Sequence, residues 1–154
     1  MTRAFLGLGS NVGDRARFLR EAVTTLGSSV RAVSDVYETE PVGGPTQGPY
    51  LNVVVELATE MGPRELLGLC HRLEGAANRV RTVRWGPRTL DVDVLWIDGV
   101  ELSGPDLQIP HPRMWRRRFV LAPLAELAPD LVDADALEHA EGQVHHLGPL
   151  SDSA

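Results

Sequence analysis

The stretch that decides the fold runs from residue 84 to residue 97 and reads RWGPRTLDVDVLWI. Its second half is rich in Val and Ile, which favour a strand, and a strand directs alternate side chains to opposite faces. We therefore expect Asp91 and Asp93 to project from one face. Their backbones would lie roughly 7 Å apart, at a rise of about 3.3–3.4 Å per residue. Gly86 and Pro87 predict a turn in front of the strand.

The two carboxylates point to a cation. Adjacent like charges repel each other, and paired oxygen ligands suit Mg²⁺, which binds a few carboxylates together with substrate phosphates. Arg84 and Arg88 precede the strand, and their guanidinium groups can hold the same phosphates by paired hydrogen bonds. The first hypothesis is a site for Mg²⁺ and a nucleoside triphosphate. The alternative is a solvated sheet edge without metal, since Asp-x-Asp occurs by chance in many proteins.

Composition limits the class of protein. The chain has 154 residues, of which 43% are hydrophobic, which is enough for one domain with one core. It has no apolar run of about 18 residues and no signal-peptide pattern, so we expect a cytoplasmic protein without membrane contact. The single Cys70 excludes an internal disulfide and fits that compartment.

Charge is unevenly distributed along the chain. The net charge is −6, which argues against general nucleic-acid binding. All fifteen basic residues are arginine, and nine of them lie between Arg72 and Arg118. A basic zone in an acidic protein suits a small polyanion such as ATP better than a duplex.

Outward from the central stretch, apolar periodicity predicts an α+β fold. The expected elements are a strand at 3–9, a helix at 14–26, strands at 30–38 and 51–58, a helix from Gly62-Pro63, and a strand ending at Ile97. This is the ferredoxin-like βαββαβ order, an antiparallel sheet with helices packed on one face. A small extra hairpin at 100–109 and a short helix within 114–127, interrupted by Pro123, should follow.

The remaining segments are irregular. Gly7-x-Gly9 is no dinucleotide-binding fingerprint, because position 12 is Val12. Residues 39–49 hold three prolines and three glycines and predict a long loop of the kind that often carries function. We assign residues 1–132 to one domain and expect 133–154 to be a loosely attached acidic tail with a short helix near 136–140. His145-His146 in that tail is interpreted as a solvated pair.

Several ordered motifs together point to one family. They are Gly9-Ser10-Asn11, Tyr50-Leu51-Asn52, Arg79-Val80-Arg81, the ten residues 84–93, and Pro110-His111-Pro112 with Arg117 and Phe119. Over residues 4 to 131 the chain resembles the 6-hydroxymethyl-7,8-dihydropterin pyrophosphokinases of folate biosynthesis. That family is ferredoxin-like in fold, in agreement with the element order.

The resemblance implies a reaction and its cofactors. A pyrophosphoryl group would move from ATP to the hydroxymethyl group of the pterin, with release of AMP. Asp91 and Asp93 would bind two Mg²⁺ ions along the triphosphate. Arg79 and Arg88 would contact phosphate and complete the catalytic set.

The resemblance also implies the substrate contacts. The residues expected on the ATP side are Arg81, Arg84, Trp85, His111, Arg117 and His71. Those expected on the pterin side are Thr39, Val42, Tyr50, Asn52, Glu74 and Phe119. Tyr50 and Phe119 match a pair that stacks on the flat pterin, and Trp85 matches part of a lid.

Two departures from the family pattern stand out. Pro112 occupies a position where many members have a tyrosine, and the segment between Arg81 and Arg84 is one residue shorter. Two other functions stay open on the residues alone: another Mg²⁺-dependent kinase or nucleotidyltransferase with the same acidic pair, and a non-catalytic ferredoxin-like sensor. We expect a monomer, because no long apolar surface stripe is evident.

Overall fold

The computed structural model describes residues 1–39, 49–77 and 89–150. The strands are β1 (Thr2–Ser10), β2 (Val30–Val33), β3 (Val36–Thr39), β4 (Tyr50–Thr59), β5 (Asp91–Ile97), β6 (Leu102–Ser103), β7 (Gln108–Ile109) and β8 (Val144–Gly148). The helices are α1 (Arg15–Leu26), α2 (Pro63–Ala76), α3 (Arg118–Leu127) and α4 (Ala134–His139). Within these ranges no helix has the length and apolar character needed to cross a membrane.

The main sheet has the order β5-β1-β4-β3-β8, and β2 also pairs with β4. All pairings are antiparallel, so the predicted ferredoxin-like arrangement is confirmed. The strand expected at 30–38 is divided into β2 and β3. Ser34 bridges the break, because its N–H donates to Val54 O at 2.9 Å and its Oγ accepts from Val54 N at 2.9 Å.

Helices cover both faces of the sheet. One face packs against α1 and α2, whose buried side chains include Leu19, Leu66 and Leu73. The opposite face packs against α3 in a second cluster that includes Phe5 and Leu95. The expectation that helices occupy one face is therefore wrong for α3. The strands are apolar on both sides, and both faces need cover to remove that surface from water.

The hairpin expected at 100–109 is confirmed, since β6 pairs with β7. The helix expected within 114–127 is interrupted, but at a different residue. A 3₁₀ turn spans Met114–Arg116, Arg117 has an extended backbone, and α3 then runs through Pro123 without a break. Pro123 removes one backbone donor but is itself buried, so its packing offsets the lost hydrogen bond.

The tail is an integral part of the sheet, so the expected loose attachment of 133–154 is wrong for the residues that the structure describes. The short helix near 136–140 is confirmed as α4, and β8 pairs with β3 along its length. Arg118 anchors the connection by donating to Glu138 O at 2.9 Å and to Gly142 O. Backbone pairing and these contacts satisfy groups that a loose tail would leave to water.

Candidate active site

The acidic pair lies in a row that crosses three strands. Gly9 of β1 pairs with Asp91 of β5 on one side and with Asn52 of β4 on the other, and Gly7 pairs with Asp93. Residues directly opposite each other in an antiparallel sheet share a face. Both carboxylates and the Asn52 amide therefore stand on one face, with two glycines between them.

Gly9 has no side chain, and this lets the Asn52 and Tyr50 side chains pack closely against the backbone of β1. A Cβ atom at this position would lie 2.9 Å from Asn52 Oδ1 and 3.3 Å from Tyr50 Cδ1. Asn52 is buried, and its Nδ2 donates to Thr39 Oγ1 at 3.3 Å. The structure thus brings together Thr39, Tyr50 and Asn52, three residues predicted on the pterin side.

A buried carboxylate supports the strand that carries the acidic pair. Glu74 on α2 is 4% exposed, and its Oε2 accepts from the backbone N–H of Val92 at 3.0 Å. Val92 lies between Asp91 and Asp93, so this bond holds the segment that sets the direction of both carboxylates.

Cys70, also on α2, is a buried thiol near the same acidic groups. Burial, then the charges of Asp93 and Glu74, raise the pKa of Cys70 to about 12, which keeps its thiol protonated at neutral pH.

His111 and Arg117 lie within the electrostatic field of the acidic pair. Burial, followed by the charges of Arg117 and Arg113, lowers the pKa of His111, and Asp91 opposes that shift. Burial and Arg113 lower the pKa of Arg117, while Asp93 and Asp91 oppose it. The His111 N–H also donates to Leu95 O of β5 at 2.9 Å, which ties the segment 110–113 to the strand of the acidic pair.

Phe119 lies in the first turn of α3 and packs in the cluster on the same sheet face as Tyr50. The Arg117 guanidinium carbon lies 5.5 Å from the centre of its ring, a cation–π distance. His71 is placed differently. It is exposed on α2, whose buried side packs on the other face of the sheet, so the structure does not group it with the acidic pair.

Six predicted site residues lie outside the described part of the chain: Val42, Arg79, Arg81, Arg84, Trp85 and Arg88. Their roles stay predictions from the resemblance.

The structure adds features that the sequence did not predict. Gly7 and Gly9 lie between the functional side chains of β5 and β4, and only the strand register reveals this. Ser10 Oγ and Thr89 Oγ1 are buried and have no hydrogen-bond partner within the described residues. Ser10 ends β1, and Thr89 immediately precedes β5. A buried polar atom without a partner marks a place where water or a ligand is needed.

The chemistry of this face fits Mg²⁺. Asp91 and Asp93 are both partly exposed, so their oxygens can reach a hydrated ion. Hard oxygen ligands in small number suit Mg²⁺, which keeps several waters and binds substrate phosphates.

Fold and site together define a class: a ferredoxin-like domain with two carboxylates on the same sheet face as a group of polar and aromatic side chains. Comparison with known sequences makes the assignment specific. The chain belongs to the 7,8-dihydro-6-hydroxymethylpterin-pyrophosphokinase (HPPK) family, whose sequence model matches residues 5–129.

Two bacterial relatives are similar over most of their length. The 2-amino-4-hydroxy-6-hydroxymethyldihydropteridine pyrophosphokinase of Bacillus subtilis is 48% identical over 128 residues, which are 80% of this chain and 77% of that protein. The protein of the same name from Methylorubrum extorquens is 49% identical over 136 residues, 86% of each chain. These matches leave no doubt about the family.

Solved structures support the fold. The HPPK-DHPS protein of Plasmodium falciparum superimposes with a TM-score of 0.61 at 15% identity, covering 91% of this chain and 42% of that one. At this identity the similarity concerns the fold alone.

Proposed function

We propose that this chain transfers the pyrophosphoryl group of ATP to the hydroxymethyl group of 6-hydroxymethyl-7,8-dihydropterin and releases AMP. Family membership and the names of two relatives at 48% and 49% identity support the reaction. The observation that carries the proposal is the row across the sheet, in which Asp91 and Asp93 share a face with Asn52 and are separated from it by Gly7 and Gly9.

Asp91 and Asp93 are the residues that would hold Mg²⁺, and we propose two ions. Bound Mg²⁺ would neutralise the triphosphate and stabilise charge that develops on the phosphate oxygens. Glu74 would act by holding the Val92 amide, which keeps both aspartates aimed at the same place. This positioning role differs from the direct pterin contact that the resemblance implied.

The ATP side would be cationic. Arg117 has a guanidinium partly removed from water, so its attraction to phosphate is weakly screened. His111 lies beside it on a segment bonded to β5. We propose that Arg79 and Arg88 add phosphate contacts. Arg81, Arg84 and Trp85 are further proposed contacts of the nucleotide, whereas the placement of His71 on the other face of the sheet does not support such a role.

The pterin side would be flat and partly polar. Tyr50 and Phe119 would stack on the two faces of the bicycle, as aromatic rings do on planar ligands. Asn52, with Thr39, would meet its polar edge, and the hydrogen bond between the two fixes the direction of the amide. Val42 is proposed to contact the same edge through its backbone.

The chemical step is an in-line displacement. The pterin hydroxyl oxygen forms a bond to the β-phosphorus and loses its proton. The bond from the β-phosphorus to the oxygen that bridges it to the α-phosphorus breaks, and AMP leaves with that oxygen. The protein would contribute mainly by positioning and by charge neutralisation, as in phosphoryl transfer generally.

The test is product analysis with purified chain, ATP, Mg²⁺ and 6-hydroxymethyl-7,8-dihydropterin. We expect AMP to form only when the pterin is present, and EDTA to stop the reaction until Mg²⁺ is restored. ADP would indicate an ordinary kinase, and pyrophosphate a nucleotidyltransferase. Either product, or ATP consumption without the pterin, would refute the proposal.

A matched pair of variants tests the acidic pair. Asp93→Asn removes one charge at the proposed metal site, and we expect kcat to fall at least about 100-fold, as when one group of an electrostatic site is lost. Glu101→Gln removes an exposed carboxylate from the segment after β5 and should leave kcat unchanged. Equal activity of both variants would argue against the metal assignment.

A further inference from the structure

A second cluster of ligand atoms lies at the opposite edge of the sheet from β5. Asp35 in the β2–β3 connection, Glu126 in α3 and His146 in β8 each offer one ligand atom, and these atoms all lie within 4.8 Å of one another. Three separate elements thus converge on one point, and none of them carries the acidic pair.

The cluster is organised by hydrogen bonds. His146 Nε2 lies 2.6 Å from Asp35 Oδ2. Glu126 accepts from the Asp35 N–H at 3.1 Å and from the Tyr37 hydroxyl. The Tyr37 and His146 rings also contact each other, with centroids 5.3 Å apart. Each carboxylate oxygen has a second lone pair, so these bonds orient Glu126 without using up its capacity to bind a metal.

Charge favours a cation at this point. Two carboxylates within 4.8 Å of each other repel unless a positive group lies between them. The imidazole decides which ion is suitable, because one nitrogen with two carboxylate oxygens suits Zn²⁺ and its neighbours in the first transition row rather than Mg²⁺.

We propose that Asp35, Glu126 and His146 form a binding site for a divalent transition-metal ion such as Zn²⁺, which would cross-link the C-terminal strand β8 to the rest of the domain. Ligand atoms about 2.0–2.2 Å from a tetrahedral zinc lie about 3.4 Å apart. His146 Nε2 and Asp35 Oδ2 are 2.6 Å apart and would have to separate by nearly 1 Å, whereas the widest pair, at up to 4.8 Å, would have to close. His146 is 57% exposed and Asp35 33% exposed, which leaves both free to make that adjustment. Metal binding would release the proton between His146 Nε2 and Asp35 Oδ2 to solvent, and a water molecule would be the fourth ligand.

The neighbouring histidine provides a control. His146 pairs with Tyr37 in the sheet, whereas His145 pairs with Glu38 and faces the other way. Glutamine at position 146 can still donate to Asp35 but lacks the imidazole nitrogen. His146→Gln and His145→Gln therefore differ in the proposed ligand while sharing the loss of one histidine.

The experiment is calorimetric titration of the untagged full chain with Zn²⁺, with Mg²⁺ present in excess to occupy the acidic pair. We expect one Zn²⁺ per chain, and a rise of Tm with Zn²⁺. His146→Gln and Asp35→Asn should weaken that binding at least ten-fold, and His145→Gln should not change it. Tyr37→Phe, which removes the hydrogen bond to Glu126, should weaken it about ten-fold.

Two results would overturn the site: no Zn²⁺ binding by the unmodified chain under these conditions, or equal loss of binding in the His145 and His146 variants. Formation of AMP by His146→Gln at the unmodified rate shows that the variant is folded, so a loss of Zn²⁺ binding then reports on the ligand itself. The proposal does not depend on the pyrophosphokinase reaction.

Discussion

At the scale of single residues, Gly9 sets how closely the Asn52 and Tyr50 side chains pack against β1. Gly9→Ala places a Cβ 2.9 Å from Asn52 Oδ1, a distance that real side chains do not tolerate, so Asn52 or Tyr50 must move. We expect KM for the pterin to rise by more than KM for ATP in steady-state assays. Equal changes in both constants would mean that the position acts on the fold as a whole.

Gly75→Ala is the control for that change. Gly75 lies within α2, and an added Cβ would meet nothing within 4 Å. Alanine favours the helix over glycine by roughly 0.5–1 kcal/mol, so this variant should be slightly more stable and equally active.

Glu74 tests whether a buried hydrogen bond controls the acidic pair. Glu74→Ala leaves the Val92 N–H buried without this acceptor, at a cost of about 1–3 kcal/mol in the free energy of unfolding, and should lower kcat because Asp91 and Asp93 lose their alignment. Glu74→Gln keeps a carbonyl acceptor and should retain more stability and activity. Urea unfolding and kcat measured on both variants check this order, and a Gln variant as impaired as the Ala variant would assign the effect to the charge.

His111 gives the site a defined pH dependence. Burial, with Arg117 and Arg113, lowers its pKa in the folded chain below the ordinary value of about 6.5. At pH values below about 6.5, the unfolded chain binds a proton at His111 that the folded chain does not. The free energy of unfolding therefore falls as the pH decreases below about 6.5. NMR titration should show a pKa below 6.5, and ATP should raise it because phosphate favours the charged imidazole.

A second measurement tests the same assignment. Between pH 7 and pH 5.5, His111→Gln should lose less stability than the unmodified chain in denaturant unfolding. A His111 pKa above 6.5 in the free chain, or identical losses in both proteins, would contradict the shift.

At the scale of elements, the C-terminal strand is the part whose role the structure changes most. A chain ending at Gly142 lacks β8, so β3 loses an antiparallel neighbour and Tyr37 loses its contact with His146. We expect Tm to fall by several degrees, at about 2–4 °C for each kcal/mol lost. A chain ending at Leu150 keeps β8 and is the control; equal Tm values for the two would mean that β8 adds no stability.

At the scale of the whole molecule, the monomeric state expected from the sequence stays a prediction. Among the described residues, the exposed large hydrophobic side chains are those of Met1, which precedes β1, Val12, which follows β1, and Leu147, which lies in β8. Single exposed apolar residues do not form a patch of the size that interfaces need. Sedimentation equilibrium should give the mass of one chain, 16.8 kDa, and a concentration-dependent dimer would refute the expectation.

How much of this organisation can be predicted from the sequence depends on how far apart along the chain the interacting residues lie. The element order, the ends of α1 and the shared face of Asp91 and Asp93 follow from patterns within about 15 neighbouring residues. The division at Ser34 and the cover of the second face by α3 were not predicted, because each depends on partners such as Val54 or Leu95 in remote strands.

By itself, the sequence determined the ferredoxin-like order, the acidic pair on one strand face and the family. Strand and helix periodicities and contiguous motifs are local properties. Only the tertiary structure decided that Gly7 and Gly9 separate the acidic pair from Asn52, that Glu74 holds the Val92 amide, and that β8 completes the sheet beside Asp35, Glu126 and His146. The physical reason is that strand register and helix packing are set by burial across the whole core, which brings together residues far apart in the chain.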